Sequence, residues 1–113
     1  MSAARLPASV LVSALIRRVQ DAGGHAVLLA RGEPQGGAIL VLAGERGANW
    51  RFVERGLGAT GEIALIASGP ADPDSATATA YWQRRRASDP DLWVVEVDVA
   101  SPERFAAEMI LPG

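Results

Sequence analysis

Large apolar residues near the start of the chain recur every three or four positions. Leu11, Leu15 and Val19 fall four residues apart, which places them on one face of a helix. Gly23-Gly24 follows and supplies the left-handed backbone geometry that commonly ends a helix. The pattern therefore predicts a helix over Ser9–Gln20.

Near the other end of the chain the apolar residues alternate with the rest. One face of this segment carries Trp93, Val95, Val97 and Val99, and the other carries Val94, Glu96 and Asp98. This period of two is typical of a strand with one dry and one wet side. Pro90 prevents any preceding helix from continuing, so we expect a strand over Leu92–Val99.

Short apolar runs separated by turn residues predict the remaining strands. The runs are His25–Arg31, Gly37–Ala43, Asn49–Arg55 and Glu62–Ala67. Glycine and proline are frequent in the connection between the first two runs, which favours a tight hairpin there. Glycine-rich connections also occur in anion-binding loops, but no helix is predicted after this connection and it lacks the lysine of a phosphate loop.

A second helix is expected over Pro73–Ala87. Asp72 has the form of an N-cap, and Pro73 suits the first helical position. The apolar face of this segment is thin, so we expect the helix to lie across the sheet. Ser101-Pro102-Glu103 repeats the start signal and predicts a short C-terminal helical turn.

These elements follow one another in the order α-β-β-β-β-α-β, with an optional terminal helix. Short connections favour antiparallel neighbours. We expect an α+β fold with a largely antiparallel sheet of four or five strands and the two main helices packed on one face. A chain of 113 residues has the usual length of one domain, so residues 1–113 are predicted to form a single α+β domain.

Composition and charge narrow the possible functions. Apolar residues make up 49% of the chain and charged residues 21%, which is typical of a globular protein. The absence of cysteine excludes disulfides, thiolate metal sites and thiol nucleophiles. All eleven basic residues are arginine, yet the formal net charge is −2, so the whole molecule lacks the strongly basic field of a dedicated nucleic-acid binder.

The N-terminal region has a superficial likeness to a secretory signal. Arg5 precedes the apolar run Leu6–Ile16, as a charged region precedes the apolar region of a signal peptide. Arg17-Arg18 then stands where small residues would lead to a cleavage site, which argues against export. No run approaches the ~20 apolar residues of a membrane span. We expect a cytoplasmic protein that does not associate with membranes.

Three stretches of the chain are similar to a known family. They are Leu15-Ile16-Arg17-Arg18 with Ala22-Gly23 and Ala26-Val27, Arg31-Gly32-Glu33 with Gly37-Ala38-Ile39-Leu40-Val41, and Tyr81–Arg86 with Asp89-Pro90-Asp91-Leu92-Trp93-Val94-Val95-Glu96-Val97. In order and spacing the chain resembles the alphaproteobacterial domain-of-unknown-function family fourteen ninety-one (DUF1491). It departs from that pattern at Glu33, where family members usually carry Asp. The resemblance implies a compact cytoplasmic bacterial protein and brings no reaction, cofactor or ligand.

Few residues are candidates for catalysis. His25 is the only histidine, and it stands at the start of a strand. Glu96 and Asp98 share a strand face about 6.6 Å apart, a spacing at which two carboxylates can hold Mg²⁺ or divide acid and base roles. The solvated face of a half-buried sheet explains the same pattern. We predict no catalytic residue, metal ligand or cofactor. Convergence of both acids with His25 and Arg31 in one pocket would favour a small metal-assisted hydrolase.

Aromatic and arginine residues suggest a binding surface. The chain has three tryptophans, Trp50, Trp82 and Trp93, and one thin helix face cannot bury both Tyr81 and Trp82. A large ring left at the surface would favour a protein partner or a homodimer. The predicted partner-binding residues are Arg31, Glu33, Trp82, Arg84 and Arg85. We expect a non-catalytic binding or accessory module, with nucleic-acid contact through the arginine clusters as the alternative.

Overall fold

The computed structural model describes residues 6–112, which form five strands and three helices. The elements are α1 (Ala8–Asp21), β1 (His25–Ala30), β2 (Ile39–Glu45), β3 (Ala48–Leu57), β4 (Ile63–Ser68), α2 (Ser75–Ser88), β5 (Trp93–Asp98) and α3 (Pro102–Ile110). This confirms the α+β class and the predicted order of elements. The optional terminal helix is present as α3.

The last strand of the chain lies inside the sheet. The strand order is β1-β5-β2-β3-β4, with β5 antiparallel to β1 and parallel to β2, and every other pair is antiparallel. The predicted β1–β2 hairpin is therefore wrong, because β5 separates these two strands. Val94 and Val95 point to opposite faces of β5 and are both fully buried, so β5 suits a central position. Val27 of β1 is 49% exposed, as expected of an edge strand.

Helices cover both faces of the sheet. On the first face, α1 and α3 pack on Val41, Val53, Val95 and Val97. On the second face, α2 packs through Ala78, Tyr81 and Trp82 on Leu40, Leu42, Phe52 and Val94. The expectation that the two main helices share one face is thus wrong. The central strands are apolar on both sides, and two buried faces need two covers.

The apolar run near the N-terminus belongs to the core. Leu11, Val12 and Leu15 of α1 are buried against the first face of the sheet. No helix within residues 6–112 is both long and apolar enough to span a membrane. Arg5, the charged residue of the signal-like pattern, lies outside the described residues.

The start of α2 differs from the prediction. Asp74, not Asp72, is the N-cap, and its carboxylate accepts a 2.7 Å hydrogen bond from the Thr77 amide. Asp72 has a φ of 42°, whereas the N-cap Asp74 has the extended geometry that is typical of this position. Pro73 therefore precedes the helix and is buried.

The position of the proline at the start of α3 agrees with the prediction, but the expected side-chain cap is not formed. Pro102 occupies the first turn and Ser101 precedes it at the cap position. Ser101 has a φ of 54°, and its side chain makes no capping hydrogen bond.

Candidate binding site

The loop between β1 and β2 wraps around the residues that lead into β5. The Glu33 amide donates to the Asp91 carbonyl at 3.0 Å, and the Trp93 indole Nε1 donates to the Glu33 carbonyl at 2.8 Å. The Trp93 amide donates to the Ala38 carbonyl at 2.8 Å. These bonds show that the glycine-rich segment is a clamp on the start of β5, and the tight hairpin predicted for it is wrong.

Two glycines make this clamp possible. A Cβ atom added to Gly32 or Gly37 would lie 2.1 Å from the Asp91 carbonyl oxygen. Such a distance is far inside van der Waals contact, and backbone cannot move aside as a flexible side chain can. The Arg-Gly-Glu and Asp-Pro-Asp-Leu-Trp stretches, which are distant in sequence, thus meet in one structural unit.

Arg31 and Glu33 both take part in this unit. The Arg31 guanidinium lies 5.4 Å from the centroid of the Trp93 ring, a cation–π distance. The Glu33 carboxylate accepts a 2.9 Å hydrogen bond from the Gln35 amide within the same loop. Both side chains are exposed, and their contacts stabilise the loop.

Arg85 connects α2 to the second face of the sheet. Its Nη1 and Nη2 donate to the two carboxylate oxygens of Glu54 at 2.7 and 2.9 Å, and Nη1 also donates to the Tyr81 hydroxyl at 2.8 Å. The hydrogen bond from Arg85 lowers the pKa of Glu54 below its ordinary value, and the bond to Glu54 raises the pKa of Arg85. The Arg85 guanidinium is therefore engaged inside the molecule.

The other arginines of the clusters differ in their contacts. Arg86 donates to the Pro90 carbonyl at 2.9 Å, and Arg18 pairs with Glu108 at 2.8 Å. Arg84 is exposed, with its guanidinium 6.0 Å from the Tyr81 ring. Of the arginine run on α2, Arg85 and Arg86 are thus engaged within the molecule, and Arg84 is exposed.

Trp82 forms one wall of a cleft between α2 and the second face of the sheet. We call this feature, of about 330 Å³, the aromatic cleft. Its lining residues are Leu29, Leu42, Trp50, Pro73, Asp74, Ser75, Ala78, Thr79, Trp82 and Glu96. Trp50 and Trp82 are both half-buried against the second core, whereas Trp93 is buried. Tyr81 and Trp82 are both half-buried, so α2 buries neither ring fully, as its thin apolar face predicted.

The local sequence explains the shape of the aromatic cleft. A Cβ atom at Gly44 would lie 2.6 Å from the Trp50 ring, so the missing side chain allows the indole to rest on the backbone of β2. Ala78 is 4% exposed and brings α2 close to the sheet between Tyr81 and Trp82. The Tyr81 ring packs on Phe52 with centroids 4.7 Å apart, which leaves Trp82 to line the other side.

Glu96 lies in the floor of this cleft. In the strand register it is level with Val27 of β1 and Leu42 of β2. Among residues 6–112 its carboxylate has no ion-pair partner within 4 Å. Asp74 also lines the cleft, and hydrogen bonds from Thr77 lower the pKa of its carboxyl.

The four residues whose convergence would favour an enzyme do not meet in one pocket. Asp98 and His25 line a separate open cleft with Arg46, and the Asp98 carboxylate accepts a 2.8 Å hydrogen bond from the Gly47 amide. Glu96 lines the aromatic cleft, and Arg31 lies over Trp93. Within the described part of the chain, no three His, Cys, Asp or Glu residues form a group that could hold a metal ion.

The sequence indicated Trp82 as a partner-binding residue but did not predict that Trp50 and Glu96 lie beside it. Trp50 and Glu96 join it only through strand register and the placement of α2, which are non-local. One local signal was available, since Glu96 interrupts an otherwise apolar run with a charge at a position flanked by buried residues.

Comparison with known proteins gives related structures and no curated relative. The family model described as "Protein of unknown function (DUF1491)" matches residues 6–107. A crystal structure of a DUF1491 family protein from Caulobacter crescentus CB15 has a TM-score of 0.75 and 30% identity, covering 88% of this chain and 94% of that one. An NMR structure of a DUF1491 family protein from the same organism has a TM-score of 0.73 and 30% identity, covering 91% and 94%.

A third related structure comes from another bacterium. The solution structure of protein Atu0922 from A. tumefaciens has a TM-score of 0.68 and 30% identity, and the match covers 87% of this chain and 89% of that one. No curated protein matches the chain significantly.

Proposed function

Since the chain belongs to the DUF1491 family, whose function is unknown, we propose that it is a non-catalytic binding module of the bacterial cytoplasm. Its partner is an extended segment of another protein, and the aromatic cleft together with strand β1 forms the binding surface. The observation that carries this proposal is the pair of half-buried indoles, Trp50 and Trp82, in one cleft. Tryptophan is enriched at the energetic centres of protein interfaces.

Strand β1 supports an extended partner. It is an edge strand of the described sheet, and its sequence, His25–Ala30, contains no lysine, arginine, acid or proline to discourage pairing. Its register shift against β5 lies near the end of the strand, between Leu28 and Ala30, and leaves His25–Leu28 regular. Val27 and Leu28 are 49% and 37% exposed. An added strand would satisfy the outer backbone groups of β1 and bury these side chains.

The cleft adds side-chain selectivity to this edge. Leu29 of β1 lines the aromatic cleft, so the two features are continuous. The cleft volume of about 330 Å³ lies near the lower end of the range for small-molecule pockets. That size suits one partner side chain. Of the residues predicted for partner binding, Trp82 belongs to this surface. In our proposal Arg31, Glu33 and Arg85 serve internal contacts, and Arg84 is exposed but lies outside the cleft.

The test is a selection of displayed random peptides on the whole protein, followed by NMR titration of the selected sequences. We expect selected peptides to shift the indole N–H signals of Trp50 and Trp82 and the amide signals of β1. Trp82→Ala should weaken their binding about tenfold or more. Arg18→Ala, on the opposite face, is the matched control and should leave binding unchanged.

Three outcomes would contradict the proposal. The first is a selection that enriches no sequence. In the second, peptides shift signals around Leu57 and Ile63 at the end of the sheet and leave the indoles unchanged. In the third, sedimentation detects a dimer whose interface is β1, which would make a second copy of the chain the occupant.

A further inference from the structure

We infer that the aromatic cleft accepts a cationic side chain, the ammonium group of lysine or the guanidinium group of arginine, carried by the partner segment. This inference rests on the proposed function and adds the chemistry of the group that is bound. The feature behind it is the combination of two indole walls with two carboxylates in one cleft.

The charge of the lining points to a cation. Asp74 and Glu96 are the ionisable residues among those that line the cleft, and no arginine or histidine is among them. Eleven arginines are present in the chain, yet none within residues 6–112 forms an ion pair with Glu96. A partner can therefore supply the missing positive charge.

The N-terminus of α2 favours an anion in the cleft, but its effect is weaker than that of the two carboxylates. Pro73, Asp74 and Ser75 bring this helix end to the cleft. A helix N-terminus carries roughly half a positive charge, which favours anions. The Asp74 carboxylate already caps that end through the Thr77 amide. Two full negative charges against about half a positive one leave the cleft favourable for a cation.

The indole walls favour the same chemistry. A cation within about 6 Å of an indole face is attracted by the ring quadrupole, and the attraction is larger where water is excluded. Trp50 rests on Gly44 and Trp82 packs on the second core, so both rings are held in place before any ligand arrives. A fixed site loses less entropy on binding.

The distance from the edge strand selects a long side chain. A partner strand paired with β1 would lie two strand spacings, about 10 Å, from β5. Glu96 is level with Val27 in the register, so a partner residue opposite Val27 must extend across it to approach the carboxylate. The long apolar stems of lysine and arginine can lie on Val27 while the charged end enters the cleft.

The experiment compares three probes of similar size on the whole protein. They are the n-butylammonium ion, n-butanol and the butyrate ion, each followed by the indole N–H signals of Trp50 and Trp82. We expect butylammonium to bind about tenfold more tightly than butanol and butyrate to bind most weakly. Raising the salt concentration should weaken butylammonium binding and leave butanol binding unchanged.

Variants distinguish the effect of the Glu96 charge on binding from an effect on folding. Glu96→Gln should reduce butylammonium affinity several-fold, towards that of butanol, with the remaining preference supplied by Asp74 and the indole faces. Asp98→Asn is the matched control, because Asp98 lies two positions along the same strand face but outside the cleft. Thermal unfolding of both variants verifies that they fold, and Glu96→Asp provides a second variant that keeps the charge and shortens its reach.

The outcomes distinguish this inference from the proposed function. Equal binding of butanol and butylammonium, unaffected by Glu96→Gln, would overturn the cationic chemistry and leave the cleft as a binding site. Failure of every probe and every selected peptide to shift the indoles would overturn both. A capped Val-Lys-Val peptide should bind more tightly than butylammonium, and more tightly than the same peptide with norleucine in place of lysine. Weaker binding of the lysine peptide than of butylammonium would overturn the inference that the cation is a side chain of a partner protein.

Discussion

At the scale of single residues, two loop glycines pass close beside one carbonyl oxygen. Gly32 and Gly37 both pass beside the Asp91 oxygen, where a Cβ atom would lie 2.1 Å away. The neighbouring Gly36 faces open space, with nothing within 4 Å of an added Cβ. Gly37 thus has no room for a side chain, whereas the adjacent Gly36 has room for one, so substitutions at the two positions should differ in their effect on stability.

Gly37→Ala should destabilise the protein by about 1–3 kcal/mol, because the new methyl group forces the loop away from the Asp91 carbonyl. Gly36→Ala should change the free energy of unfolding by less than about 1 kcal/mol, and a small gain is expected from reduced flexibility of the unfolded chain. Urea denaturation of both variants measures the difference. Equal stability of the two variants would mean that the loop does not hold β5 as described.

At the scale of elements, α2 depends on specific polar contacts. Ala78 is its only fully buried residue, and its other contacts with the core are the half-buried rings of Tyr81 and Trp82, so apolar packing holds the helix at few positions. The Asp74 cap and the bond from Arg85 to Glu54 fix its beginning and its last turns. Since α2 also forms a wall of the aromatic cleft, loss of these contacts would alter the proposed binding surface as well.

Asp74→Ala should lower the midpoint of thermal unfolding, because the Thr77 amide loses its acceptor. Ser75→Ala is a suitable control, since Ser75 is exposed and the cap is the preceding residue; we expect a change within about 0.5 kcal/mol. Thermal unfolding followed by far-UV circular dichroism measures both. A larger loss in the Ser75 variant would argue that the helix begins at a different residue.

The sequence predicted the elements well and their arrangement less well, for a physical reason. Helix and strand periodicity is local, so Leu11–Val19 and Trp93–Val97 revealed α1 and β5 directly. Strand order depends on contacts between distant segments. The unbroken apolar run of β2, buried along most of its length, did carry a signal that both faces of the sheet are covered. For the candidate site, composition indicated Trp82, but only the β5 register brings Glu96 beside it.

At the scale of the whole molecule, the Glu54 carboxyl, which is more buried than the other carboxyls with lowered pKa values, contributes to the pH dependence of stability. Its pKa in the folded protein lies below the ordinary value of 4.5, chiefly because Arg85 donates hydrogen bonds to it. A carboxyl with a depressed pKa contributes stability that is present above the unfolded pKa and is lost as the pH falls through the folded pKa. The protein should therefore lose stability below about pH 4.5.

Glu54→Gln should cost about 1–3 kcal/mol at pH 7, because Arg85 loses its charged partner while remaining partly buried. The same variant should show a shallower decline in stability between pH 5 and pH 3 than the unmodified chain. Glu103→Gln is the comparison, since Glu103 pairs with Arg51 at 2.6 Å but its side chain is 43% exposed, where water and salt screen the pair. Urea midpoints across this pH range measure both, and identical acid slopes for Glu54→Gln and the unmodified chain would contradict the assignment.

The insertion of β5 between β1 and β2 has a consequence for synthesis. The ribosome releases the two flanking strands long before it releases the strand that joins them, because β1 ends at Ala30, β2 at Glu45 and β5 only at Asp98. A nascent chain that has reached α2 therefore carries unpaired backbone along β1 and along the edge of β2 that faces away from β3, a state in which strands from neighbouring chains can pair incorrectly. Translation must be almost complete before the native sheet can close.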